Sequence, residues 1–302
     1  MRIGLMLGAD RGAARIEGVV EMATRAEAAG FDSVWMAHIR ALDAIAALTV
    51  AGTRTARIEL GTAVTPIQPR HPMALAQQAL TANQAAGGRF TLGVGVSHKL
   101  VIEDMLGLSY ARPAAQMRDY LDVLLPLLRG EVANVENERY TARNLGIDVP
   151  QAAPVPVVVA ALGPVMLDLA GRSSAGTSTW MVGPRTLEAH IGPRLRAAAA
   201  AAGAAPPRIV AAVPVVLTHD VDAVREQLAN ALAIYGQLPS YRAMLDHEGV
   251  AGPADLALVG DERVLREGIA RYRDAGVTDF SAAIMATAQD DFERTFELVA
   301  AR

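Results

Sequence analysis

An apolar, β-rich run followed by an amphipathic helical run recurs eight times along this 302-residue chain. That repetition limits the fold more than any other feature. The runs predict strands over Arg2–Gly8, Phe31–His38, Arg57–Thr65, Arg89–Val96, Val155–Ala161, Gly176–Val182, Arg208–Thr218 and Val277–Ile284. The helical stretches are Ile16–Ala29, Asp43–Arg54, Met73–Ala86, Ala114–Arg129, Pro164–Arg172, Arg185–Ala202, a helix from Val221, and Asp290–Ala301. Strands that alternate with helices are joined by crossovers and run parallel, and eight such units close into a (β/α)8 TIM barrel. An internal echo fits: Ala28-Ala29-Gly30-Phe31 and Asp274-Ala275-Gly276-Val277 each place a glycine between helix end and strand. An open doubly wound sheet is the rival, but Gly4, Gly8 and Gly12 lack the GxGxxG spacing it favours. Two connections, Gly130–Pro154 and Gly236–Gly260, are too long for ordinary loops. They read as insertions after strands four and seven, and without a linker-like shift residues 1–302 read as one domain.

Composition narrows the chemistry. Aromatic residues are 4% of a chain that is 52% hydrophobic, so Ala, Val, Leu and Ile must build the core. The absence of cysteine excludes disulfides, thiolate metal sites and a cysteine nucleophile. A net charge of −4 gives no nucleic-acid surface. The apolar start, Met1–Leu7, meets Asp10 and Arg11 too early for a signal peptide, and no run reaches the ~20 apolar residues of a membrane helix. The expectation is a cytoplasmic protein. The Ala74–Ala86 face suggests either a homodimer contact or burial on the barrel.

In such a barrel the chemistry sits where strands end. "GTAVTPIQPRHP", Gly61–Pro72, leaves strand three in a stiff polar loop carrying Gln68, Arg70 and His71. Strand two ends at His38, strand four at Gly93-Val94-Gly95-Val96-Ser97-His98-Lys99, strand five at Leu162-Gly163-Pro164, and strand six at Trp180-Met181-Val182-Gly183-Pro184-Arg185. Each has a plain explanation: rim histidine, turn, barrel corner, helix start. Together they form a wide apolar mouth with glycine edges, on which a flat ring system can lie. The N–H groups of Gly163 and Val165 at a helix start can hold a phosphate. The histidines lack metal-ligand spacing, and no GxSxG elbow accompanies them.

"IELGTAVTPIQPRHPMALAQQALTANQAAGGRFTLGVGVSHK", "FDSVWMAH", "PVPVVVAALGPVMLDLAG" and "LPSYRAMLDHEGVAGPADLALVGDE" resemble the luciferase-like oxidoreductase superfamily, most closely its branch using the deazaflavin coenzyme F420. The resemblance implies a hydride-transferring oxidoreductase acting on a small organic molecule. It also implies a non-prolyl cis peptide in strand three, here Ala63–Val64, against the cofactor ring. His38 matches the strand-two histidine of an Asp-His pair whose acid is replaced by Ala37, and His98 stands where some members carry a glutamate proton donor. Gly183 stands where some carry a phosphate-binding lysine. His38 and His98 are accordingly the candidate proton donors. Gly61, Ala63, Val64, Gly95, Ser97, Gly163, Pro164, Val165 and Met181 are the expected cofactor contacts, with Arg70, Lys99 and Arg185 meeting its anionic tail. The Gly236–Gly260 insertion, with Tyr235, Tyr241 and Arg242, is expected to cover the substrate. Two rival readings are an FMN-dependent monooxygenase and a non-catalytic barrel.

Overall fold

The computed structural model describes residues 1–8, 14–150 and 152–301. Eight parallel strands close on themselves: Arg2–Leu7, Ser33–Met36, Glu59–Thr62, Phe90–Gly95, Val157–Ala160, Gly176–Trp180, Arg208–Leu217 and Asp279–Ile284. The first pairs with both the second and the eighth, and the sixth with the seventh. All eight expected strands are present, mostly shorter than their apolar runs. Gly30 and Gly276 have φ of 88° and 84°, the left-handed values that end a helix.

Strand three breaks at Thr62, and pairing with strand four resumes at Thr65 and Pro66. The peptide bond between Ala63 and Val64, inside this bulge, is cis. Thr62 stitches the break: its hydroxyl donates to Gly93 O at 2.8 Å and accepts from Gly93 N at 2.9 Å.

Alternation along the strands sets the barrel interior. Trp35, Val158 and Val210 form a buried cluster of their own, with Met6 and Ala63 against it, apart from the larger core between strands and helices. The far end is plugged by Arg2, Glu59, Arg208 and Asp279. Ala37, Ala63, Gly95, Ala160 and Ala212 follow one step along the same inward faces. On these five strands the upper inward positions are therefore small, while Trp180, in register with Ala212, is the large side chain at that level.

The insertions carry more structure than the sequence showed. After strand four come a π-helical turn, Leu100–Met105, the helix Pro113–Leu128 and a hairpin of Ala133–Glu136 with Thr141–Leu145. Residue 151, in the second half of that insertion, lies outside the described residues. After strand seven come helices Val221–Gln237 and Pro239–Glu248 and a short strand, Leu258–Gly260, that pairs with strand seven outside the closed ring. Helix Glu262–Asp274 follows; only its end, ahead of Gly276, was marked in the sequence, not its extent. On the Pro72–Ala85 helix, Leu75, Ala76, Ala79, Leu80 and Ala82 turn inward, while Gln77, Gln78, Thr81 and Gln84 face out. Burial within the chain thus accounts for the alanine-rich face. No helix of the described residues is long and apolar enough to cross a membrane.

Candidate functional site at the barrel mouth

The strand-two and strand-three loops build one side of the mouth. His38 Nδ1 accepts the Ala44 N–H at 3.2 Å, at the start of helix Ala44–Gly52, and its Nε2 lies 3.1 Å from an Arg70 guanidinium nitrogen. Arg70 in turn donates to Asp43 Oδ2 at 2.7 Å, and Asp43 caps the same helix through Ala46 N. Both imidazole nitrogens thus face donors, which disfavours the doubly protonated ring. Burial lowers the His38 pKa, the adjacent Arg70 charge lowers it further, and Asp43 only partly opposes them. An imidazole held this way is a poor source of protons. Arg70 is also committed inside the chain.

His98, past strand four, lies in different company. Its ring meets Tyr241 at 5.8 Å and Tyr235 at 6.2 Å between centroids. Those tyrosines contact each other at 5.1 Å, and Tyr235 meets Trp180, at the end of strand six, at 6.4 Å. The insertion after strand seven therefore covers the carboxyl ends of the strands, as a lid must. Arg242 holds it together, donating to Asp246, Val250 O and Ala251 O. Burial lowers the His98 pKa.

Both histidines bind protons more weakly in the fold than in the unfolded chain. Between the folded and unfolded pKa values the unfolded state holds more protons, so stability rises with pH there. The fold should lose stability as pH falls through about 6.5, the unfolded histidine value, and show no such dependence above it. Denaturation midpoints at pH 7.5 and 5.5 check this; His98→Phe should flatten the difference, and an unchanged slope would remove His98 from the effect.

The expected cofactor contacts lie in different settings. Ala63 and Val64 sit in the bulge and are half-buried, open toward the mouth. Gly61 and Gly95 have packing reasons for lacking side chains: a Cβ on Gly61 would lie 2.4 Å from the Trp35 ring, and one on Gly95 would lie 2.5 Å from Val64 Cγ2. Met181 is buried in the outer core. Ser97 and Met181 have φ of 56° and 50°, rare for residues with side chains, and each ends a strand at the mouth. Neither conformation has a local signal in the residue types around it. Lys99 pairs with Glu103 at 3.6 Å on the surface, and Arg185 is exposed.

Helix Pro164–Ser173 begins after strand five with Gly163 at its N-cap, and no side chain caps it. A Cβ on Gly163 would meet nothing within 4 Å, and Gly163, Pro164 and Val165 are exposed. Asp43, His71, Asp220 and Asp261 cap helices elsewhere in the fold, while Ile16–Ala28, Pro113–Leu128, Pro239–Glu248 and Gln289–Ala300 also start without a side-chain cap; the Gly163 start is set apart by its place at the mouth after strand five. Free first-turn N–H groups on an open helix start favour an anion. Among the described residues no cluster of three or more metal-binding side chains occurs.

The luciferase-like monooxygenase family model matches residues 1–279. A putative coenzyme F420-dependent oxidoreductase of Mycobacterium tuberculosis is 32% identical over 198 residues, 61% of this chain; the match spans 57% of that protein, less than two thirds of its length. The F420-dependent glucose-6-phosphate dehydrogenase of Nakamurella multipartita is 29% identical over 271 residues, covering 84% of this chain and 78% of that one. Among solved structures, the coenzyme F420 dependent tetrahydromethanopterin reductase from Methanopyrus kandleri superposes with a TM-score of 0.84 over 99% of this chain and 97% of that one. At 22% identity that likeness concerns the fold. The closed barrel, its bulged third strand and the match over residues 1–279 lead to one assignment: this chain belongs to the luciferase-like monooxygenase family.

Proposed function

We propose that the chain is an F420-dependent oxidoreductase that binds its deazaflavin across the barrel mouth. The observation that carries this reading is a floor of small residues, Ala37, Ala63, Gly95 and Ala160, beside the uncapped helix start at Gly163. A flat ring fits the floor, and the amides at the helix start fit a phosphate. The curated relatives named for F420 support the same cofactor. When bound, the deazaflavin supplies a carbon centre that gives or takes a hydride.

The residues here orient the substrate, exclude water and hold one proton. His98, uncharged near neutral pH and so able to take up a proton and return it, is better placed than His38 for the exchange, because His38 already faces two donors while His98 lies beneath the lid tyrosines. His38 with Arg70 and Asp43 fixes the strand-two and strand-three loops. In pre-steady-state hydride transfer His98→Ala should slow the step, and His38→Ala should act mainly through cofactor affinity. The opposite pattern would restore His38 as donor.

Gly163→Val tests the phosphate placement. The side chain has room in the protein itself, so the circular dichroism spectrum should stay native. F420 affinity, followed by its fluorescence, should fall about tenfold through loss of close approach at the helix start. Unchanged affinity would move the phosphate elsewhere.

A further inference from the structure

Glu248, the last residue of the lid helix Pro239–Glu248, lies at the start of the helical segment after strand six. Its carboxylate accepts from Arg185 N at 3.2 Å, Thr186 N at 2.7 Å and the Thr186 hydroxyl at 2.6 Å. These are the groups a helix start offers an anionic ligand, and here the chain's own carboxylate uses them. Gly183 makes the contact possible, since a Cβ there would lie 2.1 Å from the Glu248 carboxyl carbon. Nearer the centre the lid wall is Trp180, Tyr235 and Tyr241 around His98. Burial raises the pKa of both tyrosines and lowers that of His98, so the wall is uncharged near neutral pH. Arg70, the cation of the facing loop, is tied to Asp43.

We propose that the substrate is an uncharged, flat, apolar molecule that stacks on Trp180 and Tyr235, and that Glu248 denies phosphorylated molecules the helix start after strand six. This rests on the placement of the site at the barrel mouth. An aromatic wall selects planar apolar surface through stacking and desolvation. Glu248 at the helix start both uses its donors and repels a second anion.

A matched pair of probes, 2-naphthol and 2-naphthyl phosphate, tests this by calorimetric titration of the full chain with and without F420. Wild type should bind 2-naphthol at least ~10-fold more tightly than its phosphate, and Trp180→Ala or Tyr235→Ala should weaken 2-naphthol up to about tenfold, the scale of one aromatic contact. Glu248→Ala should strengthen 2-naphthyl phosphate binding and leave 2-naphthol unchanged, and Glu248→Gln, which keeps the side chain's size, should shift it the same way by less. Equal affinities for the two probes in wild type would overturn the proposal. So would 2-naphthol affinity indifferent to both aromatic truncations, or phosphate affinity indifferent to both Glu248 variants. Binding of 2-naphthol as described by a chain that does not bind F420 would keep the substrate class and remove the cofactor reading.

Discussion

Trp35→Ala should cost about 3–5 kcal/mol of folding stability, the range for emptying a buried aromatic site. Trp35 is fully buried, and its indole N–H donates to Ser33 Oγ at 2.9 Å. The ring occupies space left by two glycines: a Cβ on Gly61 would lie 2.4 Å from it, and one on Gly4 would lie 3.4 Å from it. Glycines have no side chain with which to fill a vacated volume, and the closed ring of strands resists collapse. The cavity should persist directly under the floor of small residues, so Ala63 should lose its support and F420 affinity should fall with stability. Guanidinium denaturation of the variant measures the effect. A loss under about 1 kcal/mol would show that the interior repacks.

Arg208→Met should be comparably severe. Burial alone would lower the Arg208 pKa, but its hydrogen bonds to Asp279 and the Glu59 charge outweigh that and hold it above the ordinary arginine value. Its guanidinium donates to Glu59 Oε1 at 2.8 Å and Asp279 Oδ1 at 2.7 Å, with Arg2 as the second cation against both acids. Two arginines thus balance two carboxylates at the closed end of the barrel. Removing one leaves an uncompensated buried charge, which costs about 3–5 kcal/mol, whereas removing a whole pair is often near neutral. Arg208→Met with Glu59→Gln should therefore recover much of the loss seen in the single variant. If the double variant is as unstable as the sum of the two singles, charge balance is not the reason for the plug. Arg208 also lies 5.7 Å from the Trp35 ring centre, so its loss and that of Trp35 should not add.

Most of the barrel strands were legible as buried apolar runs, in which period and burial carry the same message; strand six, Gly176-Thr177-Ser178-Thr179-Trp180, is buried but polar and stood out by its β-branched residues. The glycines between helix and strand were legible for a similar reason, since a left-handed helix end has a strong residue preference. The lid was legible only as excess length. Its helix Pro239–Glu248 is charged on one side and buries Met244 and Leu245 on the other, too short a stripe to stand out. The helix Glu262–Asp274 was obscured by its many charges, with only Leu265, Gly268 and Tyr272 buried. At the site, His38 stood modestly ahead of His98 in sequence. Tertiary contacts separate them: Ala44 N and Arg70 reach His38, and Tyr235 and Tyr241 reach His98. Glu248 gave no local signal, because its partners, Arg185 and Thr186, lie about 60 residues away and meet it only once the lid folds over. Gly61 and Gly95 show the reverse case. Their position at strand ends suggested cofactor contact, and the folded chain adds a packing reason that no local signal showed: Trp35 and Val64 stand where their side chains would be.

The cofactor assignment rests most directly on which isoalloxazine-like ring the mouth retains. The purified chain, incubated separately with F420 and with FMN and passed through gel filtration, should carry F420 in the protein peak, visible by its absorbance and fluorescence, and release FMN. Retention of FMN with loss of F420 would contradict the account and favour the monooxygenase reading, and retention of neither would favour a barrel without a redox role.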